Sequence, residues 1–342
     1  MTGPLLDVRQ LGVEYGARRS MIDGIRRREL KGVRAVDGVS ISVSGGDLVA
    51  LVGESGCGKT TTAMSIAGLV PYSSGSIIVE GHDLSTLSSA ERRARRRRVQ
   101  LVFQDPYESL DPRFQVARIV REPLDVHRVE GDRDALVREA LHKVGLRPAE
   151  QFLHRYPHQL SGGQRQRVAI ASALVLQPAL LVADEPVSML DTSVRAGVLE
   201  LLGTLRTEGM GILMITHDLS TAARYADRIC VMYLGRIVEE GPAHEVVTSP
   251  KHPYTRALVA AVPRSDGAPR DHSLMPAGET PDPSRMPSGC RFHPRCPVLA
   301  SGEAARLGIA DRCRGVDIEL EPEVGDHRVA CHAVAVSITA RP

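Results

Sequence analysis

Short apolar runs alternate with segments of helical periodicity along most of the chain. The runs at 5–15, 38–52, 76–80, 179–184 and 212–216 predict strands. Several are apolar at consecutive positions, as expected for strands buried on both faces of a parallel sheet. Helical periodicity covers 114–158, and a further helix is predicted for 164–176. The run 228–234, turning at Gly235 and Arg236 into 237–240, predicts a late hairpin. This alternation favours an α/β fold with a largely parallel sheet.

The composition changes after Pro263. Residues 264–289 are rich in Pro, Ser, Gly, Asp and Arg and show little apolar periodicity, which predicts a linker or an irregular excursion. We therefore expect a large domain over 1–263 and a small irregular C-terminal extension over 264–342. The extension carries four of the six cysteines, whereas the other two, Cys57 and Cys230, are expected to be small buried residues.

The charge balance narrows the classes of partner. Lys and Arg number 43 against 41 Asp and Glu, so bulk charge does not indicate nucleic-acid binding. Aromatic residues make up 3% and Trp is absent, so stacking platforms for single strands are lacking. The arginine-rich run 92–98 is interpreted as a solvated helix face or a contact with an anionic lipid surface or a membrane protein. No apolar segment approaches the roughly 20 residues that span a bilayer, and the N-terminus does not resemble a signal peptide. We expect a cytosolic location.

A glycine-rich loop follows the apolar strand that ends at residue 52 and precedes a helix-like segment. This strand–loop–helix context is what a G-x-x-x-x-G-K-T phosphate loop requires. Bare backbone N–H groups and the helix N-terminus supply positive potential for phosphates. Lys59 is expected to reach the β- and γ-phosphates, and the Thr60 hydroxyl is expected to bind Mg²⁺. The candidate nucleotide-binding residues are Gly53, Glu54, Ser55, Gly56, Cys57, Gly58, Lys59, Thr60 and Thr61.

A second candidate phosphate cradle lies far downstream, at a predicted helix start. It consists of Ser161, Gly162, Gly163 and Gln164, which combine a hydroxyl, bare backbone amides and a helix dipole. Alone, such a sequence is more often a helix start without a ligand. Two cradles so far apart in one chain favour a nucleotide clamped between two subunits.

Two carboxylates end the predicted strand at 179–184. Asp184 is placed to hold Mg²⁺, and Glu185 is placed to orient and polarise an attacking water. Without the upstream loop, an acidic pair in a solvated turn would be the simpler interpretation.

In this order, the motifs resemble those of ATP-binding cassette (ABC) ATPases. The resemblance implies that the phosphate loop of one subunit and Ser161–Gln164 of its partner close over one ATP. It implies that His217 contacts the γ-phosphate, that Gln104 joins Mg²⁺ and the attacking water, and that Tyr15 stacks on adenine. It also implies a helical subdomain at about 105–178 and an interface-crossing loop at 188–191.

Longer strings resemble the ATPase subunits of oligopeptide and dipeptide importers, among them 103–113, 231–239 and 252–258. The resemblance implies peptide import through a separate transmembrane permease at the cytoplasmic face of the membrane, supplied by an extracellular binding protein. A paralogous second ATPase subunit is favoured over an identical copy. Relatives that carry nickel, glutathione or sugars share much of this pattern. A soluble ABC ATPase acting on ribosomes or DNA is the alternative from another class, disfavoured by the single phosphate loop.

The stretches 287–297 and 327–332 resemble the C-terminal extension of this branch. In some members its four cysteines hold a [4Fe–4S] cluster, which makes Cys290, Cys296, Cys313 and Cys331 candidate ligands and the tail a candidate sensor. Four thiolates also suit Zn²⁺, although the spacings of 5, 16 and 17 residues contain no C-x-x-C pair. Unliganded thiols are the third possibility, and a disulfide is disfavoured in a reducing cytosol.

Overall fold

The computed structural model describes residues 3–16, 32–262, 276, 278–324 and 326–339. The first part of the predicted linker, residues 264–275, lies outside the described residues, as does the arginine-rich segment 17–31 that follows Tyr15. The division into two domains at 263/264 also falls there and stays a prediction.

Strands and helices alternate along the described chain, as the α/β prediction requires. The strands are β1 (Leu6–Tyr15), β2 (Val33–Val43), β3 (Leu48–Val52), β4 (Ser74–Val79), β5 (His82–Asp83), β6 (Val99–Val102), β7 (Leu180–Asp184), β8 (Gly211–Thr216), β9 (Arg228–Tyr233), β10 (Arg236–Pro242), β11 (Glu321–Val324) and β12 (His327–Val329). The helices of the first half are α1 (Lys59–Ile66), α2 (Ser89–Arg96), α3 (Pro106–Ser109), α4 (Val116–Val126), α5 (Arg133–Lys143) and α6 (Glu150–Leu153). The later helices are α7 (Gly162–Leu174), α8 (Thr192–Thr207), α9 (Leu219–Tyr225), α10 (Ala243–Thr248), α11 (Pro253–Ala261), α12 (Pro297–Ala300), α13 (Glu303–Arg306), α14 (Ala310–Gly315) and α15 (His332–Thr339).

The described strands form two sheets. A mixed sheet has the order β11-β12-β10-β9-β3-β8-β7-β6, and its five strands from β9 to β6 are parallel. β3, β7 and β8 are buried at every position, which explains their unbroken apolar runs. A second, antiparallel sheet has the order β2-β1-β4-β5. The parallel core was predicted, and the antiparallel sheet was not.

The prediction of one strand over 38–52 was wrong. A turn at 44–47 separates β2 from β3, with Asp47 N–H donating to Ser44 O at 3.3 Å and Gly46 at a φ of +80°. The Ser-Gly-Gly-Asp sequence is a turn signal that outweighs the apolar residues on either side. Because of this turn, β2 joins the antiparallel sheet and β3 joins the parallel one, so β3 alone leads into the phosphate loop.

The helical periodicity predicted for 114–158 corresponds to α4, α5 and α6. Their apolar faces pack with α7 in the larger hydrophobic core, where Val120, Leu124 and Leu141 are fully buried. This packing fixes the start of α7, which carries the second candidate phosphate cradle.

The predicted hairpin is formed by β9 and β10, but its turn lies one residue earlier than expected. Tyr233 pairs with Arg236, which leaves Leu234 and Gly235 as a two-residue turn with φ values of +42° and +84°. A two-residue hairpin turn that matches the right-handed twist of its strands needs positive φ angles at both turn residues. Leu234 is apolar and buried like the strand residues before it, so its side chain gives no sign of this turn.

The C-terminal extension is more regular than its composition predicted. β12 pairs with β10 and so adds β12 and β11 to the edge of the mixed sheet. Among the described residues, no helix has both the length and the hydropathy needed to span a bilayer.

A buried ion pair fastens β12 to the core. His327 Nε2 lies 2.8 Å from Glu239 Oε1, and the fully buried Glu239 also accepts hydrogen bonds from the backbone N–H groups of Lys251 and His252. His327 Nδ1 is 3.3 Å from the half-exposed Glu245. The hydrogen bond to Glu239 raises the pKa of His327 above 6.5, although burial and the Lys251 charge act in the opposite direction.

This pair predicts a pH-dependent stability. A histidine with a raised folded-state pKa stabilises the fold fully below its ordinary pKa, and this contribution is lost as pH rises through the folded value. Thermal unfolding between pH 6 and 9 should therefore show the wild type losing stability relative to His327→Gln as pH rises. Exposed His244 offers a control, since His244→Gln should keep the wild-type profile. Parallel pH profiles for the wild type and His327→Gln would contradict the assignment.

Candidate functional site

The phosphate loop runs from Gly53 to Gly58 between β3 and α1. Lys59 begins α1 and is only 5% exposed. Its Nζ donates to the carbonyl oxygens of Gly53 at 2.8 Å and Glu54 at 2.9 Å. The loop therefore curls around the Lys59 ammonium group, which the carbonyl oxygens of the loop hold in place.

Two glycines of the loop are required by close backbone contacts. A Cβ at Gly58, whose φ is +108°, would lie 2.3 Å from Ala35 O. A Cβ at Gly53 would lie 2.2 Å from Met232 O. The loop is thus packed against β2 on one side and β9 on the other, and a side chain at either position would force it away from these strands.

Glu185, Gln104 and His217 meet at the carboxyl ends of the parallel strands. Gln104 Nε2 donates to Glu185 Oε2 at 3.2 Å, and His217 Nδ1 lies 2.9 Å from Glu185 Oε1. An ionised carboxylate only accepts hydrogen bonds, so Nδ1 carries the proton of this contact. Both carboxylate oxygens are therefore held, and the side chain has one orientation.

The backbone at Glu185 is strained. Its φ of +46° lies in the left-handed region, which costs a residue with a side chain on the order of 1–3 kcal/mol. The strand bends sharply after Asp184, and Glu185 N–H donates to Ile215 O at 2.9 Å. This bend turns the carboxylate of Glu185 toward the phosphate loop.

Asp184 fits a cation site. It is 3% exposed, and its Oδ1 is buried without a hydrogen-bond partner. Burial raises the pKa of the Asp184 carboxyl and the Glu185 charge adds to the rise, whereas a hydrogen bond with Thr60 opposes it. Thr60, Gln104 and Asp184 line one groove. A divalent cation would satisfy the orphaned oxygen and stabilise the ionised form, so these residues suit Mg²⁺.

A cleft of about 510 Å³ opens between the phosphate loop and the Glu185 cluster. Its lining residues are Ala35, Ser55, Gly56, Gly58, Lys59, Thr60, Thr61, Gln104, Glu185 and His217. Of the predicted loop residues, Gly53, Glu54 and Cys57 do not line it, and Cys57 is buried in the core as expected. Tyr15 is 43% exposed, with its hydroxyl 3.5 Å from Thr61 Oγ1, so it stands beside the cleft.

The second candidate cradle lies elsewhere on the surface. Ser161 is exposed and caps α7, with its Oγ accepting from Gln164 N–H and its N–H donating to Gln164 Oε1 at 3.0 Å. Gly163 packs against α8, where a Cβ would lie 2.2 Å from Val194 Cγ1. None of the four cradle residues lines the Lys59 cleft among the described residues. The two candidate phosphate cradles therefore lie apart from each other within a single chain.

Several residues that hold the phosphate loop were not foreseen from the sequence. Tyr254 accepts the hydrogen bond of Glu54 N–H, and Arg295 binds the Glu54 carboxylate at 2.9 Å. Arg291 binds Asp37 and Leu234 O. The only signal available was their position in strings typical of the branch, because each contact joins segments remote in sequence.

The four cysteines of the extension come from separate segments but share one region. Burial raises the pKa of Cys290 to about 12 and that of Cys331 to about 11, and the neighbouring thiols add to both rises. In the part of the chain that the structure describes, no three His, Cys, Asp or Glu side chains form a group that could hold a metal ion. The geometry therefore gives no support to an iron–sulfur or zinc site.

Comparison with known proteins agrees with this geometry. The family model of the ABC transporter matches residues 36–188, and that of the oligopeptide/dipeptide transporter C-terminal region matches residues 238–301. Among solved structures, the dimeric ABC transporter cassette MJ0796 superposes with a TM-score of 0.59 at 27% identity, covering 70% of this chain and 99% of that one. A post-hydrolysis dimer of the same cassette, bound to ADP and Pi, also has a TM-score of 0.59.

Curated relatives match nearly the whole chain. The probable peptide ABC transporter ATP-binding protein y4tS of Sinorhizobium fredii is 45% identical over 311 residues, which are 90% of this chain and 85% of the relative. The oligopeptide transport ATP-binding protein AppF of Bacillus subtilis is 42% identical over 90% of this chain and 92% of its own length. The chain therefore belongs to the ABC transporter family, as an ATP-binding subunit and ATPase of the oligopeptide/dipeptide branch.

Proposed function

We propose that this ATPase hydrolyses ATP between two subunits and uses the cycle to drive peptide import through a separate permease. The observation that carries the proposal is the Glu185 carboxylate, held between Gln104 and His217 on the wall of the Lys59 cleft. The names of the relatives, which describe peptide transport, supply the cargo class.

The residues of the cleft have separate roles in phosphate binding and in activating water. The backbone N–H groups of the loop and Lys59 bind the phosphates, Lys59 exchanging its carbonyl contacts for phosphate oxygens. Glu185 accepts a hydrogen bond from the attacking water and polarises it. Gln104 and His217 keep that carboxylate oriented, and His217 faces the γ-phosphate. Mg²⁺ held by Thr60, Asp184 and Gln104 would neutralise charge on the phosphate oxygens.

A second subunit completes the site. Ser161 is exposed, Gly162 is partly exposed, and both lie outside the cleft of their own chain. Each cradle therefore gains a phosphate partner only when another ATPase subunit presents its cleft. Because peptide systems of the branch that this chain resembles commonly pair two different ATPases, we propose a paralogue as the partner.

The segment 104–113 transmits the closing and reopening of the two ATPase subunits to the permease. Gln104 contacts Glu185, and Tyr107 in α3 is 62% exposed. The Arg165 guanidinium lies 4.1 Å from the centroid of the Tyr107 ring, which joins this surface to α7 and its phosphate cradle. We propose that this face binds the permease at the cytoplasmic side of the membrane, with the extracellular binding protein acting only through the permease.

Uptake measurements test the cargo. Cells that lack this subunit should lose import of defined di- and oligopeptides and regain it on complementation. Import of nickel, glutathione and sugars is measured in the same cells. Loss of one of these with peptide import intact would overturn the peptide assignment while leaving the ATPase in place.

The iron–sulfur cluster stays a hypothesis that rests on the resemblance of the tail alone. Iron and sulfide analysis of protein purified without oxygen, together with its visible absorption, tests that hypothesis independently of ATP hydrolysis.

A further inference from the structure

A short segment of the C-terminal extension, residues 291–295, packs against the base of the phosphate loop. Phe292 is 1% exposed, and its ring meets the edge of the Tyr233 ring at a centroid distance of 5.3 Å and the Tyr254 ring at 5.4 Å. Tyr233 belongs to β9 and Tyr254 to α11. The buried ring therefore anchors the segment and fixes the two arginines at its ends, Arg291 and Arg295, on the ATPase core.

Arg295 binds the phosphate loop directly. The residue is 9% exposed, and its Nη1 lies 2.9 Å from Glu54 Oε2. Thr280 Oγ1 donates to the same carboxylate oxygen at 2.7 Å. On the backbone side, Glu54 N–H donates to the Tyr254 hydroxyl at 2.9 Å. Glu54 is thus held by three groups from outside the loop, two of them in the extension.

Arg291 binds the loop through the β9–β10 turn. Its guanidinium donates to Leu234 O and to the Asp37 carboxylate. The next residue of the turn, Gly235, donates its N–H to Cys57 O at 2.8 Å. The segment 291–295 therefore supports the loop at two points. Arg295 contacts Glu54 directly, and Arg291 contacts the turn whose Gly235 binds Cys57.

The charge of Glu54 makes the first brace important for nucleotide binding. Glu54 is the second residue of the loop, and its carbonyl oxygen is one of the two carbonyl oxygens that accept from Lys59. An unpaired carboxylate here would add negative charge beside a triphosphate and attract Lys59 away from it. With Arg295 in place the charge is compensated, and the Glu54 side chain is kept out of the cleft lining.

We propose that Arg295 is a positioning residue for ATP binding, by which the C-terminal extension holds Glu54 and sets the affinity of the phosphate loop. The proposal rests on the assignment of the loop in the proposed function and adds a role for the extension at the same site. Any change that shifts the segment 291–295 is transmitted to Glu54.

Nucleotide affinity of the full-length chain tests the proposal. Arg295→Gln removes the charge and keeps most of the side-chain length. By calorimetry with Mg²⁺ and the non-hydrolysable analogue AMP-PNP, the dissociation constant should rise by about 10-fold, less than for a fully buried pair because Glu54 is partly exposed. Arg314→Gln is the matched control and should bind as the wild type does. Arg314 is an exposed arginine of the same extension, and its ion pair with Asp311 is long, at 3.8 Å.

A double-mutant cycle separates positioning from general packing. Without the Glu54 carboxylate, loss of Arg295 should matter little, so Glu54→Gln/Arg295→Gln should bind within about 2-fold of Glu54→Gln alone. An equal loss of affinity in both backgrounds would mean that Arg295 acts only by packing, and would overturn the proposal. Unchanged affinity in Arg295→Gln would also overturn it. This comparison holds even where the single variant is less stable.

The result is distinct from a failure of the proposed function. A wild-type chain that does not bind AMP-PNP would reject the nucleotide site as a whole. A wild-type chain that binds, beside an Arg295→Gln variant that binds equally well, rejects only the role of the extension.

Discussion

Replacing Glu185 with glutamine is expected to lower the rate of ATP hydrolysis by about 10²–10⁴, while ATP binding persists. The substitution keeps the size of the side chain and removes the charged group that polarises water. The amide oxygen of the variant side chain can accept from one of the two groups that contact Glu185. Its NH2 group can donate to the other once the Gln104 amide turns over or His217 changes tautomer. The variant should therefore keep the structure of the cleft and lose most of its ATP hydrolysis. Phosphate release and nucleotide binding measured on the same preparation check this.

The same variant tests the arrangement of two subunits. With hydrolysis blocked, Mg²⁺ and ATP should hold the closed pair of ATPase subunits together, which size-exclusion chromatography with light scattering detects. Glu200→Gln, at an exposed position of α8, is the control and should hydrolyse ATP at the wild-type rate. Normal hydrolysis in Glu185→Gln would reject Glu185 as the base. A preparation that stays monomeric with ATP and the correct partner subunit would reject the shared site.

Replacing Lys59 with alanine is expected to weaken ATP binding by roughly 10–150-fold, since each hydrogen bond to a charged group is worth about 1.5–3 kcal/mol. Lys59 is buried at the start of α1, and its ammonium group gathers the carbonyl oxygens of Gly53 and Glu54. Its loss removes a phosphate ligand and also loosens the loop. Equilibrium binding of Mg²⁺ and AMP-PNP measures the effect.

Lys143→Ala is the matched control for Lys59→Ala. It lies on α5, where its Nζ is 2.7 Å from Glu208, and it does not line the cleft. Lys143→Ala should bind nucleotide as the wild type does. Retained tight binding in Lys59→Ala would contradict the phosphate-loop assignment.

Local signals in the sequence located the motifs from which the candidate site is built. The loop 53–60, the helix start at 161 and the carboxylates at 184 and 185 each combine a fixed spacing with a strand or helix boundary, and such boundaries are visible from apolar periodicity. The strands that end at these residues were predicted because burial on both faces leaves a continuous apolar run. Periodicity also located the helices that became α4 to α7.

Periodicity could not decide which strands share a sheet. The run 38–52 looks like one strand because β2 and β3 both have buried apolar positions, and only the turn at 44–47 sends them into different sheets. Backbone geometry was hidden for the same reason. Leu234 and Glu185 both take positive φ angles, which side-chain pattern does not report for residues other than glycine.

Sequence alone determined the chemistry of this protein, because a nucleotide site needs particular residue types at particular local spacings, and short-range geometry imposes those spacings. Tertiary structure decided which surfaces act together. It brought Gln104 and His217 onto the two oxygens of Glu185 and kept Ser161 outside the cleft of its own chain. It also joined Arg295 to Glu54 across 241 residues, because contacts of such separation depend on how β-strands pair and leave no local signature.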